Sequence, residues 1–252
     1  MALQASWLVT LGIPSIAILA LAGITLALVR LAGDGGRLAL RFTFGALIWL
    51  SYSGALAASG FLVDSAGMPP RMLALLVPLL VLPIWLARSR LGTLLIERAP
   101  PAWLIGFSAF RLPLELVMHQ AALEGTMPPQ MTYTGLNFDI ATGLSALVVA
   151  ALAARGYSPR WLLAAWNTLG TWLLLNIVAI AMMSLPQFHA FGSDPAHVNT
   201  WVAHFPFVWL PAGCVAAAIF NHALLWRMLA RPANLPSQAG QAREICGNSA
   251  TL

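Results

Sequence analysis

Arg111, Glu115 and His119 fall four residues apart within the stretch FRLPLELVMHQAALEG, residues 110–125. Four-residue steps on an α-helix turn by only ~40° each, so the three side chains share an arc of ~80°. A guanidinium, a carboxylate and an imidazole on one face can bind a polar solute, relay protons or contribute ligands to a metal. Pro113 lies among them and has no N–H to give the carbonyl of Ala109, which predicts a kink or opening beside the charges. Arg before Glu is the less favoured order for a pair within one helix, which directs each towards a partner elsewhere. The segment MTYTGLNFDIATG, residues 131–143, offers Asn137 and Asp139 one or two turns inside the next helix. Arg111 or His119 facing Asp139 would gather Arg111, Glu115, His119, Asn137 and Asp139 in one pocket, with His204 close by. The plainer alternative is structural: Arg111 and Glu115 neutralise one another and lock helices together, and His119 is an interfacial histidine.

The composition sets the solvent of these charges. Of 252 residues, 60% are hydrophobic and 8% charged, against about 25% charged in soluble domains. Seven apolar runs come close to the ~20 residues of a spanning helix: 7–29, 41–63, 72–88, 102–122, 133–154, 161–184 and 203–227. The expected fold is therefore an all-α integral membrane protein, a seven-transmembrane-helix bundle over 1–231. A polar, disordered tail is expected over 232–252. Pro-Pro pairs at 69–70, 100–101 and 128–129 punctuate loop-to-helix boundaries. The opening residues MALQASWLVTLGIP lack the positive n-region of a secretory signal, so the first run is expected to stay as a helix.

Orientation follows from the arginines. All 13 basic residues are arginine, and eleven of them fall after the first, third, fifth and seventh runs. Arg71 alone occupies the other side, and Arg111 lies within a run. The positive-inside rule puts the eleven in the cytoplasm, with the N-terminus outside and the C-terminus inside. Outer loops are then expected near 64–71, 123–132 and 185–202. The last carries His189, Asp194 and His197, with His204 just beyond. Asn167 and Asn176 read as interhelical hydrogen-bond glue. Asn221 and His222 are expected at the cytoplasmic end of the last helix, and several tryptophans as an interfacial belt.

Three stretches, FRLPLE from residue 110, MTYTGLNFDIATGLSA from 131 and HFPFVWLP from 204, resemble a group of uncharacterised bacterial multi-pass proteins of similar length. The resemblance runs over the fourth to seventh helices. It implies a bacterial inner (cytoplasmic) membrane location and brings no activity or cofactor.

Several function classes are excluded or weakened. Without lysine there can be no retinal Schiff base. The arginines sit at the ends of apolar runs and form no basic stripe, which argues against nucleic acid. Cys214 lies in an apolar run and Cys246 in the tail, so neither a disulfide nor a Cys-x-x-Cys site is expected. The leading expectation is transport or proton-linked handling of a small polar solute, with the bilayer as the other partner; homo-oligomerisation is left open. A seven-helix sensor or accessory subunit would use the same pocket without turnover. No cofactor is expected. The enzyme alternatives are a zinc site from His119, Asp139 and His204 with Glu115 as base, and a haem b between His119 and His204.

Overall fold

Helix α1 (Trp7–Leu31) opens on Ser6, whose hydroxyl accepts from the Val9 N–H at 3.4 Å. The Ser6 N–H in turn donates to a carboxylate oxygen of Glu124 at 2.9 Å, tying the start of α1 to the end of a later helix. The structure, a computed structural model, describes residues 5–33, 36–63 and 71–232. Among these there are nine α-helices and no strand. The rest of the helical set comprises α2 (Arg37–Ala58), α3 (Leu73–Arg88), α4 (Arg90–Arg98), α5 (Pro101–Phe107), α6 (Arg111–Leu123), α7 (Ile140–Ala154), α8 (Arg160–Met183) and α9 (Ala216–Ala230). The outer loop expected at 64–71 lies outside the described residues except for Arg71, and the expected tail lies outside them except for Pro232.

Four segments are long and apolar enough to cross a membrane: Trp7–Leu31, Pro101–Leu123, Arg160–Met183 and Leu210–Ala230. A fifth is available if α3 and α4, bent by 57° at Ser89, count as one broken span. Side chains such as Leu19, Leu40, Phe44 and Trp172 stand more than half exposed around the bundle. Such an exterior needs lipid as its solvent. The chain is a helical bundle with the composition of a membrane protein.

Element boundaries depart from the hydropathy pattern where polar contacts intervene. The 102–122 run is α5, a 3-10 turn at Ser108–Phe110, and α6 in continuous succession. The turn falls where Pro113 leaves the Ala109 carbonyl without its helical donor. The run at 203–227 begins as short turns; a π-helical segment, Leu210–Val215, then leads into α9. The 133–154 run becomes helical only at Ile140, and the stretch before it is irregular. Residues 90–98, expected as a connecting loop, form the amphipathic α4. Ser89 caps it by accepting from Leu91 at 3.2 Å, and Leu91, Leu95 and Ile96 are buried beneath it.

Helix α5 packs on α7, α3 on α9, α8 on α9, and α1 on α2, α6 and the π-helical segment. The arginines near one end of the bundle close helix termini. Arg98 donates to the Leu31 carbonyl at 2.8 Å, Arg227 to the Ala87 carbonyl, and Arg160 to the carbonyls of Leu229 and Arg231. Arginine at these positions satisfies carbonyls that a helix leaves without donors.

Candidate functional site

Arg111 is the first residue of α6, and its N–H still bonds to Ser108 in the 3-10 pattern. Its side chain is 1% exposed and donates through Nη1 to Asp139 Oδ1 at 2.6 Å. Gly143 permits this approach. A Cβ there would stand 2.7 Å from the Leu112 backbone nitrogen, so only glycine lets the first turn of α7 lie against α6.

Glu115, one turn beyond Arg111, is 2% exposed and is not bonded to the guanidinium. Both its carboxylate oxygens accept from Asn137 Nδ2, at 2.9 and 2.8 Å. The same nitrogen reaches the Met131 carbonyl at 3.1 Å, and Asn137 Oδ1 accepts from the Asp139 N–H at 3.0 Å. Asn137 thus ties the Glu115 carboxylate to the backbone of Asp139. Both Asn137 and Asp139 precede α7 rather than lying inside it, which corrects the expectation that they sit one or two turns within the helix. The irregular stretch is held in place from α8, where Asn176 Nδ2 donates to the Leu136 carbonyl at 2.8 Å.

Four of the six expected residues therefore converge: Arg111, Glu115, Asn137 and Asp139. His119 and His204 do not join them. The His119 ring lies 4.6 Å from that of Tyr133, and its Nδ1 has no protein partner. His204 is half-buried in the turn before the π-helical segment, where burial holds its imidazole below the ordinary histidine range. Among the described residues no group of three His, Cys, Asp or Glu side chains is placed to hold a metal ion. His119, Asp139 and His204 accordingly do not form the ligand set considered from the sequence.

Of the convergent residues, all but Asn137 border a cavity of about 90 Å³. Arg111, Glu115 and Asp139 form its polar side, and Leu75, Leu114, Ile177, Val178 and Pro211 are among its apolar walls. At ~30 Å³ per water in the liquid, it has room for about three waters. The 185–202 loop folds over this end. Asn199 lines the cavity, its N–H donating to the Ser184 carbonyl at 2.7 Å and its Nδ2 to the Ala181 carbonyl at 3.0 Å. Gln130 pins the same loop, donating to Ser184 Oγ at 3.0 Å and to the His197 carbonyl at 2.7 Å. Trp201 beside it is fully buried.

A second cavity, of about 380 Å³, lies at the arginine-rich end between α1, α4, α5 and α9. Arg30, Leu95, Phe107 and Asn221 are among its lining, and it opens past the half-exposed Leu26 and Trp103. The two cavities follow one another along the same helices. On the α5–α6 span the lining passes from Phe107 to Phe110, and on the last span from Phe220 to Ala218. At 1.5 Å rise per residue the separation is about 3–4.5 Å, less than one helical turn.

Ser108 lies in that interval, and polar side chains at the level of the second cavity pack against and beside it. Asn221 Nδ2 donates to Ser108 Oγ at 3.0 Å. Asn167 Nδ2 donates to the His222 carbonyl at 3.3 Å, which leaves Asn167 Oδ1 to accept from His222 Nδ1 at 2.7 Å. His222 is then protonated on Nδ1, and its Nε2 is a buried lone pair without a protein donor. Thr142 Oγ1 is likewise without a partner, and both side chains pack over Gly170. Asn221 and His222, expected at the cytoplasmic end, are each 2% exposed in the interior. Of the two explanations open to a polar pair there, headgroup contact or packing, their burial favours packing. Only the facing Ser108 and Asn167 make it an interior pair.

Charge is uneven across the site. One guanidinium faces two carboxylates, so electrical neutrality at this depth needs one further positive charge, a proton on Glu115 or a bound cation. The arrangement can take up a proton and can present hydrogen-bond donors to a solute in the cavity. No protein-family model, curated protein or solved structure matches the chain, so the reading of this site rests on its own geometry.

Proposed function

We propose that this chain is a seven-span protein of a bacterial inner membrane that moves a small polar solute in step with a proton. The observation that carries the reading is the pair of cavities set end to end along the same helices and separated by less than one helical turn. A carrier needs a solute site reachable from each side in alternation and a thin barrier between. Arg111, Glu115, Asn137 and Asp139 form the solute site at the outer cavity. Ser108, Asn221, His222 and Asn167 form the barrier. The uncompensated carboxylate supplies the coupling: Glu115 alternates between a protonated, neutral state and an ionised one as the solute arrives and leaves.

The seven spans are the five segments above with the 22-residue α2 and the shorter α7. The N-terminus lies outside by the arginine distribution. Arg98, Arg160 and Arg227, closing helix ends at one face of the bundle, fit a cytoplasmic surface there.

Purified protein in liposomes loaded with a pH-reporting dye tests the proposal. A panel of small amino acids, alcohols, ketones and sugars is added outside. Wild type is expected to shift the internal pH with one or more of them, and Glu115→Gln is expected to abolish the shift. An unchanged shift in Glu115→Gln, or none with any solute in wild type, overturns proton-linked transport.

A further inference from the structure

The 380 Å³ cavity at the arginine-rich end exists because small residues meet there. Gly23 and Ala27 of α1, Ala99 between α4 and α5, and Ala102 and Gly106 of α5 all line it. Its entrance passes Leu26 and Trp103, which stand half-exposed on an exterior that needs lipid as its solvent. The cavity is therefore open sideways, towards the bilayer. Among its lining residues only Arg30, Trp103 and Asn221 carry polar side-chain atoms, and Asn221 is already bonded to Ser108. An ordered water needs two to four polar partners, so a space lined in this way favours hydrocarbon over water.

Arg30 stands at one end of this space. It lies in the last turn of α1, is exposed, and among the described residues has no hydrogen bond or ion pair. Arg98 beside it differs, being held by the carbonyls of Leu31 and Ala32. From Arg30 to Gly23 the lining follows α1 for ~10 Å at 1.5 Å per residue, about a third of a ~30 Å hydrocarbon core. A free guanidinium at the mouth of an apolar slot matches the layout of a phospholipid, with phosphate at the interface and hydrocarbon beneath. Arginine takes phosphate oxygens in pairs, and basic pockets between helices at the cytoplasmic side suit anionic headgroups. The surplus of arginines at this end favours a lipid of net negative charge over a zwitterionic one.

We propose that this cavity binds one acyl chain of an anionic phospholipid. The phosphate sits on Arg30, and the chain runs along α1 towards Gly23, against Phe107 and Phe220. The proposal goes beyond the transport reading and does not rest on it. In a carrier, the chain seals the inner cavity until the solute displaces it.

The test places the full chain in phosphatidylcholine nanodiscs doped with phosphatidylglycerol that carries a diazirine midway along one chain. After irradiation, mass spectrometry reads which residues carry the label. Wild type is expected to give saturable labelling at Phe107 and Phe220, displaced by unlabelled phosphatidylglycerol and not by inorganic phosphate. Arg30→Gln is expected to raise the half-saturating lipid fraction by about tenfold to a hundredfold, the loss associated with hydrogen bonds to charged groups. Gly23→Leu keeps Arg30 but fills the slot. A Cβ there meets Phe107 at an ordinary 3.7 Å, so the helices need not shift. This variant is expected to lose the label at Phe107 and Phe220, and melting transitions report that both variants are folded. Label spread evenly over all lipid-facing helices shows surrounding lipid only and overturns the site. Unchanged labelling in folded Gly23→Leu, or unchanged half-saturation in folded Arg30→Gln, overturns the placement. Equal labelling by the phosphatidylcholine analogue overturns the lipid class, and displacement by inorganic phosphate overturns the lipid as its source. The readout contains no solute, so a failure of transport leaves the site standing.

Discussion

Arg111 from α6 and Asp139 from the stretch before α7 form a buried ion pair, and its cost is visible on removal of either half. Arg111→Met leaves Asp139 without its partner in an apolar interior, a change of about 3–5 kcal/mol where such pairs have been broken. The variant is expected to melt well below wild type in detergent, and the double variant Arg111→Met/Asp139→Asn to recover most of the loss. Equal melting of the single variant and wild type would show that the pair contributes nothing to the fold. Glu115 differs from both, since its hydrogen-bond partner is the neutral Asn137.

At the scale of elements, the site exists because α7 starts late and lies close. Residues 132–139 remain irregular, held by Asn137, by Asn176 from α8 and by the 3-10 turn Pro129–Met131. This places Asp139 at the entry of α7, opposite the first turn of α6. Gly143→Ala tests that contact. Its methyl group would fall 2.7 Å from the Leu112 backbone nitrogen, and overpacking of this kind costs about 1–3 kcal/mol. The variant is expected to melt lower and also to lose solute-driven proton movement, because separating α7 from α6 draws Asp139 off Arg111. Retained coupling at wild-type level would mean that this spacing does not set the site. The π-helical segment serves the same cavity from the other side, placing Pro211, Cys214 and Val215 in its wall.

The whole molecule has two ends of different chemistry. Arginines close helix ends at one, and the loop carrying Asn199 and Trp201 folds over the other. Single cysteines introduced at Gly125, Gly156 and Gly192 in a Cys246→Ser background report which end faces which compartment. Gly125 and Gly192 are expected to react with a membrane-impermeant thiol reagent in intact cells, and Gly156 only after the membrane is opened. Reaction of Gly156 in intact cells, or protection of both others, would reverse the orientation proposed here.

How far the sequence reached depends on how local each decision was. The scarcity of charge and the lengths of the apolar runs determined an α-helical chain suited to lipid, since a bilayer leaves the backbone few other ways to satisfy its polar groups. The four-residue spacing of Arg111 and Glu115, with Pro113 between, marked the polar face of α6 from sequence alone, because helical periodicity and the missing proline N–H are local properties. Partner choice was decided only in three dimensions. The sequence offered Asp139 to either Arg111 or His119; that Arg111 takes it, that Glu115 takes Asn137 and that His119 meets Tyr133 follow from how α6 packs on the stretch before α7, and the burial of Asn221 and His222 follows from Ser108 and Asn167 on other helices. The two cavities belong to the same level: each is a gap between several helices, and a volume left among neighbours has no pattern along any one of them.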